Sequence, residues 1–355
     1  MSDERFDTVV IGGGQAGLAA GYHLKRRGRD FVILDAAHSV GQSWRSRWDS
    51  LRLFTPAHFT HLPGLPFPAP RRHLPSKDEM AGYLEAYATR FELPLRLGRR
   101  VDRLRRASDR GGYVISSTGR IVRAGNVIVA TGPAMTPRLP GFAGQVDPAT
   151  VTLHSSDYRN PGQLPNGPVL VVGAGNSGAE IALDLAPARR TLLAGRSTGR
   201  FPIGIGGPVY RVMNRVLSTD TAWGRKIAAK GSGKGTPLVR VREEDLARAG
   251  VERLPRVTGT SDGCPALEDG RVCDVAAVIW CTGYVPDYSW IELPRFPAAG
   301  PPDHHRGVVS GQPGMYLIGL PFLSSMASSL VGGVGRDARH IVSQLDARRA
   351  GSGWR

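Results

Sequence analysis

Gly12, Gly14 and Gly17 follow directly on a strand-like run at residues 7–11 and lead into a stretch of helical spacing at residues 18–27. Glycines at that spacing suit the capture of an anion. The first permits a tight turn, the second lets backbone approach a pyrophosphate, and the third lets a helix pack closely on its strand. The helix N-terminus then offers unpaired N–H groups and the positive end of its dipole. Gln15 and Ala16 lie inside the loop, Gly28 ends the helix, residues 31–34 read as a second strand, and Asp35 closes it. An acid there would accept from ribose hydroxyls. Strand, GxGxxG, helix, strand and acid together separate a dinucleotide site from a chance run of glycines.

The unit recurs. Residues 169–172 read as a strand, Gly173, Gly175 and Gly178 with Asn176 and Ser177 as the loop, residues 179–185 as a helix and 191–194 as the next strand. Asn176 and Ser177 sit where backbone and side chains would meet a coenzyme pyrophosphate. Asp35 stands 21 residues after Gly14, and Arg196 stands 21 residues after Gly175 with Ser197 beside it. An acid suits a ribose diol and repels a phosphate, whereas guanidinium suits a 2′-phosphate by charge and bidentate geometry. The first unit is expected to hold FAD and the second NADPH. NADH stays open, because Arg196 also reads as a solvated arginine in an Arg-rich chain.

Two further strand ends match each other. Residues 126–130 run into Ala130-Thr131-Gly132, and residues 275–280 run into Cys281-Thr282-Gly283. Lying before and after the second unit, they are expected to carry the two crossings between domains. The expected fold is therefore α/β with two Rossmann-like dinucleotide-binding domains, the NADPH domain inserted into the FAD domain. Residues 1–160 and 285–355 would form the FAD domain and 161–284 the inserted one. Between the first unit and residue 126, Ser76 and Glu79 form a capping box. Met80, Tyr83, Leu84, Tyr87 and Phe91 then keep helical spacing. Short strands at 101–106, 113–117 and 121–123 suggest an antiparallel meander covering the domain. A last helix over 334–345 opens at Gly332 and Gly333, where N–H groups could approach a flavin carbonyl.

Composition narrows the class. The 355 residues suffice for two domains, and 41% apolar with 21% charged residues fits a globular chain with a core. No run reaches the roughly 18 apolar residues of a membrane span, and the N-terminus lacks the apolar segment of an export signal. The net charge of +16 is spread as scattered arginines, only five basic residues being lysine. It reads as compositional bias, without the like-charge blocks of a nucleic-acid binder. Three cysteines without a CxxC pair offer neither a zinc site nor a redox dithiol, and suit a reducing cytoplasm. No metal site is expected. His58 and His61 read as loop residues, and His304 and His305, adjacent on a strand, would point apart. Residues 203–235, rich in glycine and basic side chains, are read as a cap on the second unit. A lid over the substrate entrance, a homodimer contact and a membrane-surface piece are the other readings.

These motifs resemble the class B flavoprotein monooxygenases: flavin-containing monooxygenases, Baeyer–Villiger enzymes and plant YUCCA-type enzymes, the small bacterial flavin-containing monooxygenases most of all. The likeness spans nearly the whole chain. It rests on the ordered pair of glycine loops and on Gln42-Ser43-Trp44, similar to a family Gly-x-x-Trp segment at the FAD. Phe142, Gly144, His154 and Tyr158 are similar to a linker signature FxGxxxHxxxY. The two matched strand ends, and Lys234-Gly-Thr-Pro-Leu238, complete it. In this chain Gly144 and His154 are ten residues apart rather than four, an insertion at about 147–152. The resemblance implies that NADPH reduces the flavin, that dioxygen then forms a peroxide at flavin carbon 4a, and that this adduct oxygenates an amine, a sulfide or a carbonyl compound. Many members place an asparagine beside that carbon; here Phe54 and Thr55 stand at the matching stretch, and only Thr55 could hydrogen-bond an oxygen adduct. The residues leave two other classes open: a flavin reductase or oxidase passing electrons to a quinone or other acceptor, and a non-enzymatic NADP-sensing flavoprotein.

Overall fold

The computed structural model describes residues 4–107, 111–133, 136–201, 237–294, 296–297 and 300–352, with isolated positions between 207 and 226. Strand β1 (Glu4–Ile11) feeds helix α1 (Gln15–Arg26) and returns in β2 (Phe31–Leu34), parallel to β1. The short helix α2 (Gln42–Arg45) and the long α3 (Lys77–Arg90) follow. Ser76 and Glu79 close the capping box on α3, whose Met80, Tyr83, Leu84 and Tyr87 are buried in the first core. Strands β3 (Leu95–Arg96), β4 (Val101–Arg106), β5 (Tyr113–Ser117) and β6 (Arg120–Val129) complete this half.

The expected strands at 121–123 and 126–130 are one strand, β6. Gly125 does not break it: its φ is not positive, and a Cβ there would sit 3.3 Å from the Asp7 carbonyl, so glycine lets β6 lie close against β1. The β4–β5–β6 meander consequently does not cover the sheet; it extends it.

A short strand β7 (Thr136–Pro137) leads out of this sheet. Strands β8 (Val151–His154), β9 (Val169–Val172) and β10 (Thr191–Ala194), with α4 (Asn176–Leu185) between the last two, start a second sheet. Helix α5 (Glu243–Arg248), β11 (Glu252–Leu254), the hairpin β12 (Val257–Ser261) and β13 (Cys264–Leu267), and β14 (Ala277–Trp280) follow. The parallel order is β11-β10-β9-β14-β8. Val151–His154 thus pairs with Ala277–Trp280 in the second sheet, although the sequence boundary at 160 assigns it to the first domain. The strand ending at Trp280 is likewise interior to the second sheet. The crossing itself is made just after it, where β15 (Tyr284–Val285) pairs antiparallel with β7.

The chain then returns to the first sheet. Strands β16 (Ile291–Glu292), β17 (His304–His305), β18 (Val308–Val309) and β19 (Met315–Leu317) precede helix α6 (Val331–Ser352). Strand β19 lies parallel to the second half of β6, and α6 packs along α1. One apolar core surrounds the first sheet, and two smaller ones lie on the faces of the second.

Candidate active site

Both glycine loops stand at the carboxyl ends of parallel strands, where open α/β sheets bind ligands. Gly12 and Gly173 have φ of 109° and 112°, and a Cβ at either would strike the carbonyl oxygen of Ala130 or Cys281 at 2.5 or 2.4 Å. A Cβ at Gly17 or Gly178 would lie 1.8 Å from the carbonyl of Gly12 or Gly173. By contrast, a Cβ at Gly14 or Gly175 would meet nothing within 4 Å. Protein packing requires the outer glycines of each loop; it does not require the central ones. Open space over the central glycine, at the N-cap of α1 or α4, fits a pyrophosphate lying on the backbone. Neither helix places an acid in its first turn.

Around the first loop, Asp35 accepts hydrogen bonds from the Gly13 and Ala37 N–H groups, the latter at 2.7 Å, which fixes its carboxylate at the mouth of the loop. Gly41, at φ 78°, brings the start of α2 against Ala81 of α3. From α2, Trp44 Nε1 reaches Gln15 Oε1 at 3.4 Å. Ser43 and Gln42 are exposed, Gln42 accepting from Ser39 at 2.9 Å. Ala16 is buried against Gly319, whose Cβ would lie 3.0 Å from the alanine Cβ. Arg45 pairs with Glu85 at 2.8 Å, and Arg47 donates to the Tyr284 hydroxyl at 2.7 Å; neither is a free phosphate ligand.

Phe54 is half-buried. Thr55 is 4% exposed, and its hydroxyl donates to Thr60 Oγ1 at 2.8 Å, because the Thr60 hydroxyl itself donates to the Thr55 and Pro56 carbonyls. Thr55 therefore holds its own loop, and the expectation that it hydrogen-bonds an oxygen adduct is not met in this arrangement. Gly333 is also spoken for. Its N–H donates to the Leu330 carbonyl at 3.0 Å, and a Cβ there would strike the Ala327 carbonyl at 2.0 Å. It is a packing glycine inside α6, which starts earlier than expected, at Val331.

In the second unit two expectations change. The Gly12 N–H donates to the Leu34 carbonyl, and the Gly173 N–H to the Ala194 carbonyl, both at 2.8 Å. Gly195, not Arg196, therefore stands where Asp35 stands; the second unit is one residue shorter between loop and strand end. Arg196 comes one residue later, well exposed and 3.9 Å from Glu268. The Asn176 side chain, expected at a pyrophosphate, donates to the Pro237 carbonyl at 3.0 Å and accepts from the Val239 N–H at 2.9 Å. With Glu180, one turn on and paired to Arg240 at 3.0 Å, it clamps residues 237–240 onto α4. Burial raises the Glu180 carboxyl, opposed by that arginine. Ser177 is half-buried in the loop. Ser197 donates to Glu243 at 3.1 Å.

Between the units, the His154 Nε2–H donates to the Gly283 carbonyl at 3.0 Å while Nδ1 accepts from the Ser156 N–H. Burial lowers this histidine and keeps it neutral. Tyr158, fully buried, donates to Asp184 of α4 at 2.7 Å. The Thr282 hydroxyl donates to the Arg138 carbonyl. Burial pushes the Cys281 thiol above its ordinary value. Most of residues 203–235 lie outside the described residues. Of those described, Tyr210 packs edge-on to Phe59 at 5.6 Å, Asn214 accepts from the Ala327 N–H at 3.0 Å, and the Thr219 N–H donates to the Ser324 carbonyl at 2.9 Å. This excursion of the second unit therefore touches the first. Gly195, Glu243 and the Arg47–Tyr284 contact escaped sequence reasoning; only the unequal spacing of loop and strand end signals the first of them.

Two dinucleotide-type folds joined by a paired crossing suit a protein that holds two nucleotide cofactors. A family model described as pyridine nucleotide-disulphide oxidoreductase matches residues 9–198. The chain is 38% identical to the uncharacterized oxidoreductase CzcO-like of Geobacillus kaustophilus, covering 96% of this chain and 98% of that one. It is 28% identical to the probable indole-3-pyruvate monooxygenase YUCCA3 of Arabidopsis thaliana over 91% of this chain and 84% of the plant protein. The flavin-containing monooxygenase from Stenotrophomonas maltophilia superposes with a TM-score of 0.78 at 31% identity, over 97% of this chain and 99% of that structure. The chain belongs to the pyridine nucleotide-disulphide oxidoreductase family, and within it to the class B flavoprotein monooxygenases. It is a flavin-dependent monooxygenase.

Proposed function

We propose that the protein is an FAD-dependent, NADPH-using monooxygenase that oxygenates a small organic nucleophile, an amine or sulfide, or a carbonyl compound by Baeyer–Villiger insertion or 2-oxo acid decarboxylation. The observation that carries the cofactor half is the open space over Gly14 and Gly175, the two loop glycines that packing does not explain. When bound, the cofactors supply hydride transfer and activation of dioxygen; this chain binds, orients and excludes water.

In this reading Gly12, Gly14, Gln15, Ala16 and Gly17 cradle the FAD pyrophosphate and Asp35 takes its ribose. Gln42, Ser43 and Trp44 border the same cofactor, with Ala130, Thr131 and Gly132 on its other side. The Val331 and Gly332 N–H groups, rather than that of Gly333, are left at the start of α6 to meet the flavin ring. Gly173, Gly175, Ser177 and Gly178 receive the NADPH pyrophosphate, Cys281, Thr282 and Gly283 border it, and Arg196 takes the 2′-phosphate. Phe54 presents an apolar wall to the reacting face. Small organic substrate and dioxygen are the partners, with no nucleic acid, and the cytoplasm is the proposed compartment.

The test is anaerobic mixing of FAD-loaded protein with NADPH, followed by air and a panel of amines, sulfides, ketones and 2-oxo acids. Bleaching of the flavin band by NADPH, and faster coenzyme turnover with one substrate class, support the reading. A flavin that NADPH does not reduce refutes it.

A further inference from the structure

We propose that Glu243 sets the choice between the two nicotinamide coenzymes by opposing the phosphate that Arg196 attracts. The inference rests on the NADPH reading of the second unit and deepens it. Because Gly195 holds the place of Asp35, strand β10 ends without an acid. One arrives from elsewhere in the chain. Glu243, the first residue of α5, accepts the Ser197 hydroxyl on Oε1 at 3.1 Å, and its Oε2 lies 3.5 Å from Arg253 Nε. Arg253 in turn donates to the Leu193 and Gly195 carbonyls at 3.3 and 3.2 Å, which fixes this carboxylate beside the end of β10. The Asn176 and Glu180 clamp on residues 237–240 holds the chain leading into α5. Glu268 faces Arg196 at 3.9 Å.

Each of the three donors a 2′-phosphate would seek, Arg196, Ser197 and Arg253, thus already faces a carboxylate. A phosphate dianion entering here must take the Ser197 hydroxyl from Glu243 and then sit against its negative charge. A plain ribose diol has the opposite experience, since its hydroxyls can donate to Glu243 as they would to an acid at the strand end. Arg196 and Glu243 therefore pull the selectivity in opposite directions, and the protein accepts both coenzymes. Glu243 is 45% exposed, so solvent screens it and the effect is moderate.

The test is calorimetric titration of FAD-loaded protein with 2′,5′-ADP and with 5′-AMP, for the native chain, Glu243→Gln and Glu243→Ala, alongside KM for NADPH and NADH. Both variants should tighten 2′,5′-ADP relative to 5′-AMP by about tenfold and lower the NADPH-to-NADH KM ratio by the same factor. The gain should shrink as salt rises. Retained flavin colour and an unchanged melting temperature confirm that the variants fold. An unchanged ratio, or a shift towards 5′-AMP, overturns the role of Glu243. A native protein that binds neither nucleotide is a different failure, and overturns the NADPH reading beneath it.

Discussion

Gly14 and Gly17 lie three residues apart in one loop and differ in what they do. The Gly14 backbone is extended, at φ −74° and ψ −172°, with space where a side chain would go. Gly17 has the Gly12 carbonyl 1.8 Å from the place of its Cβ. Gly14→Val should therefore fold normally, with unchanged circular dichroism, yet purify colourless. A yellow Gly14→Val protein would contradict the FAD site. Gly17→Ala should lose about 1–3 kcal/mol of stability through overpacking, read as an earlier urea midpoint. Gly178 makes the same contact in the second unit, so Gly178→Ala should impair NADPH reduction while leaving the protein yellow. At the proposed reacting face, Phe54→Asn adds a hydrogen-bonding side chain where the native one has none. It should lower the hydrogen peroxide released per NADPH consumed; an unchanged yield would show that Phe54 does not face the flavin.

Among the elements, α1 and α4 repeat one solution. Each begins at its glycine loop, and each loop leans on the end of a neighbouring strand, at Ala130 or Cys281. The linker adds a contact of its own: Tyr158 is buried with its hydroxyl on Asp184. Tyr158→Phe leaves that carboxylate short of a donor and should cost about 1–3 kcal/mol, seen as a lower melting temperature; no change would mean that water replaces the hydroxyl. The local units were readable because their signals are short: a buried strand, three spaced glycines, a capping box at Ser76. What escaped reading depends on pairing between distant residues. Nothing in residues 151–154 says that they join residues 277–280 rather than the first sheet, and nothing in residues 120–129 says that Gly125 is bridged by β1. The one-residue difference that puts Gly195 in the place of Asp35 is signalled in the sequence only by the unequal spacing of loop and strand end, and the hydrogen bonds of Gly12 and Gly173 fix it. Glu243 is further still, 47 residues beyond Arg196. The packing of the loop glycines was thus legible, whereas Thr55, Asn176 and Gly333 changed role because sequence does not disclose which polar groups the protein uses itself.

Over the whole molecule, the net charge of +16 favours capture of anionic coenzymes. Four histidines, His23, His61, His154 and His304, are all lowered from 6.5, burial being the largest cause for each. Below 6.5 the unfolded chain binds more protons at these sites than the folded one, so stability rises with pH through this window. Their contribution is fully present above 6.5 and is lost as pH falls towards the folded values. The melting temperature should drop between about pH 7.5 and about pH 5.5, and His154→Gln should flatten part of that slope; a rise on acidification would contradict the neutral, buried histidines. The relatives point to the insertion of an oxygen atom. The most direct measurement is turnover of FAD-loaded protein with NADPH under isotopically labelled dioxygen, scoring products by mass. The account predicts a product carrying one labelled oxygen atom for each NADPH consumed. Coenzyme oxidised in step with an added quinone, with no label in any organic product, would contradict it.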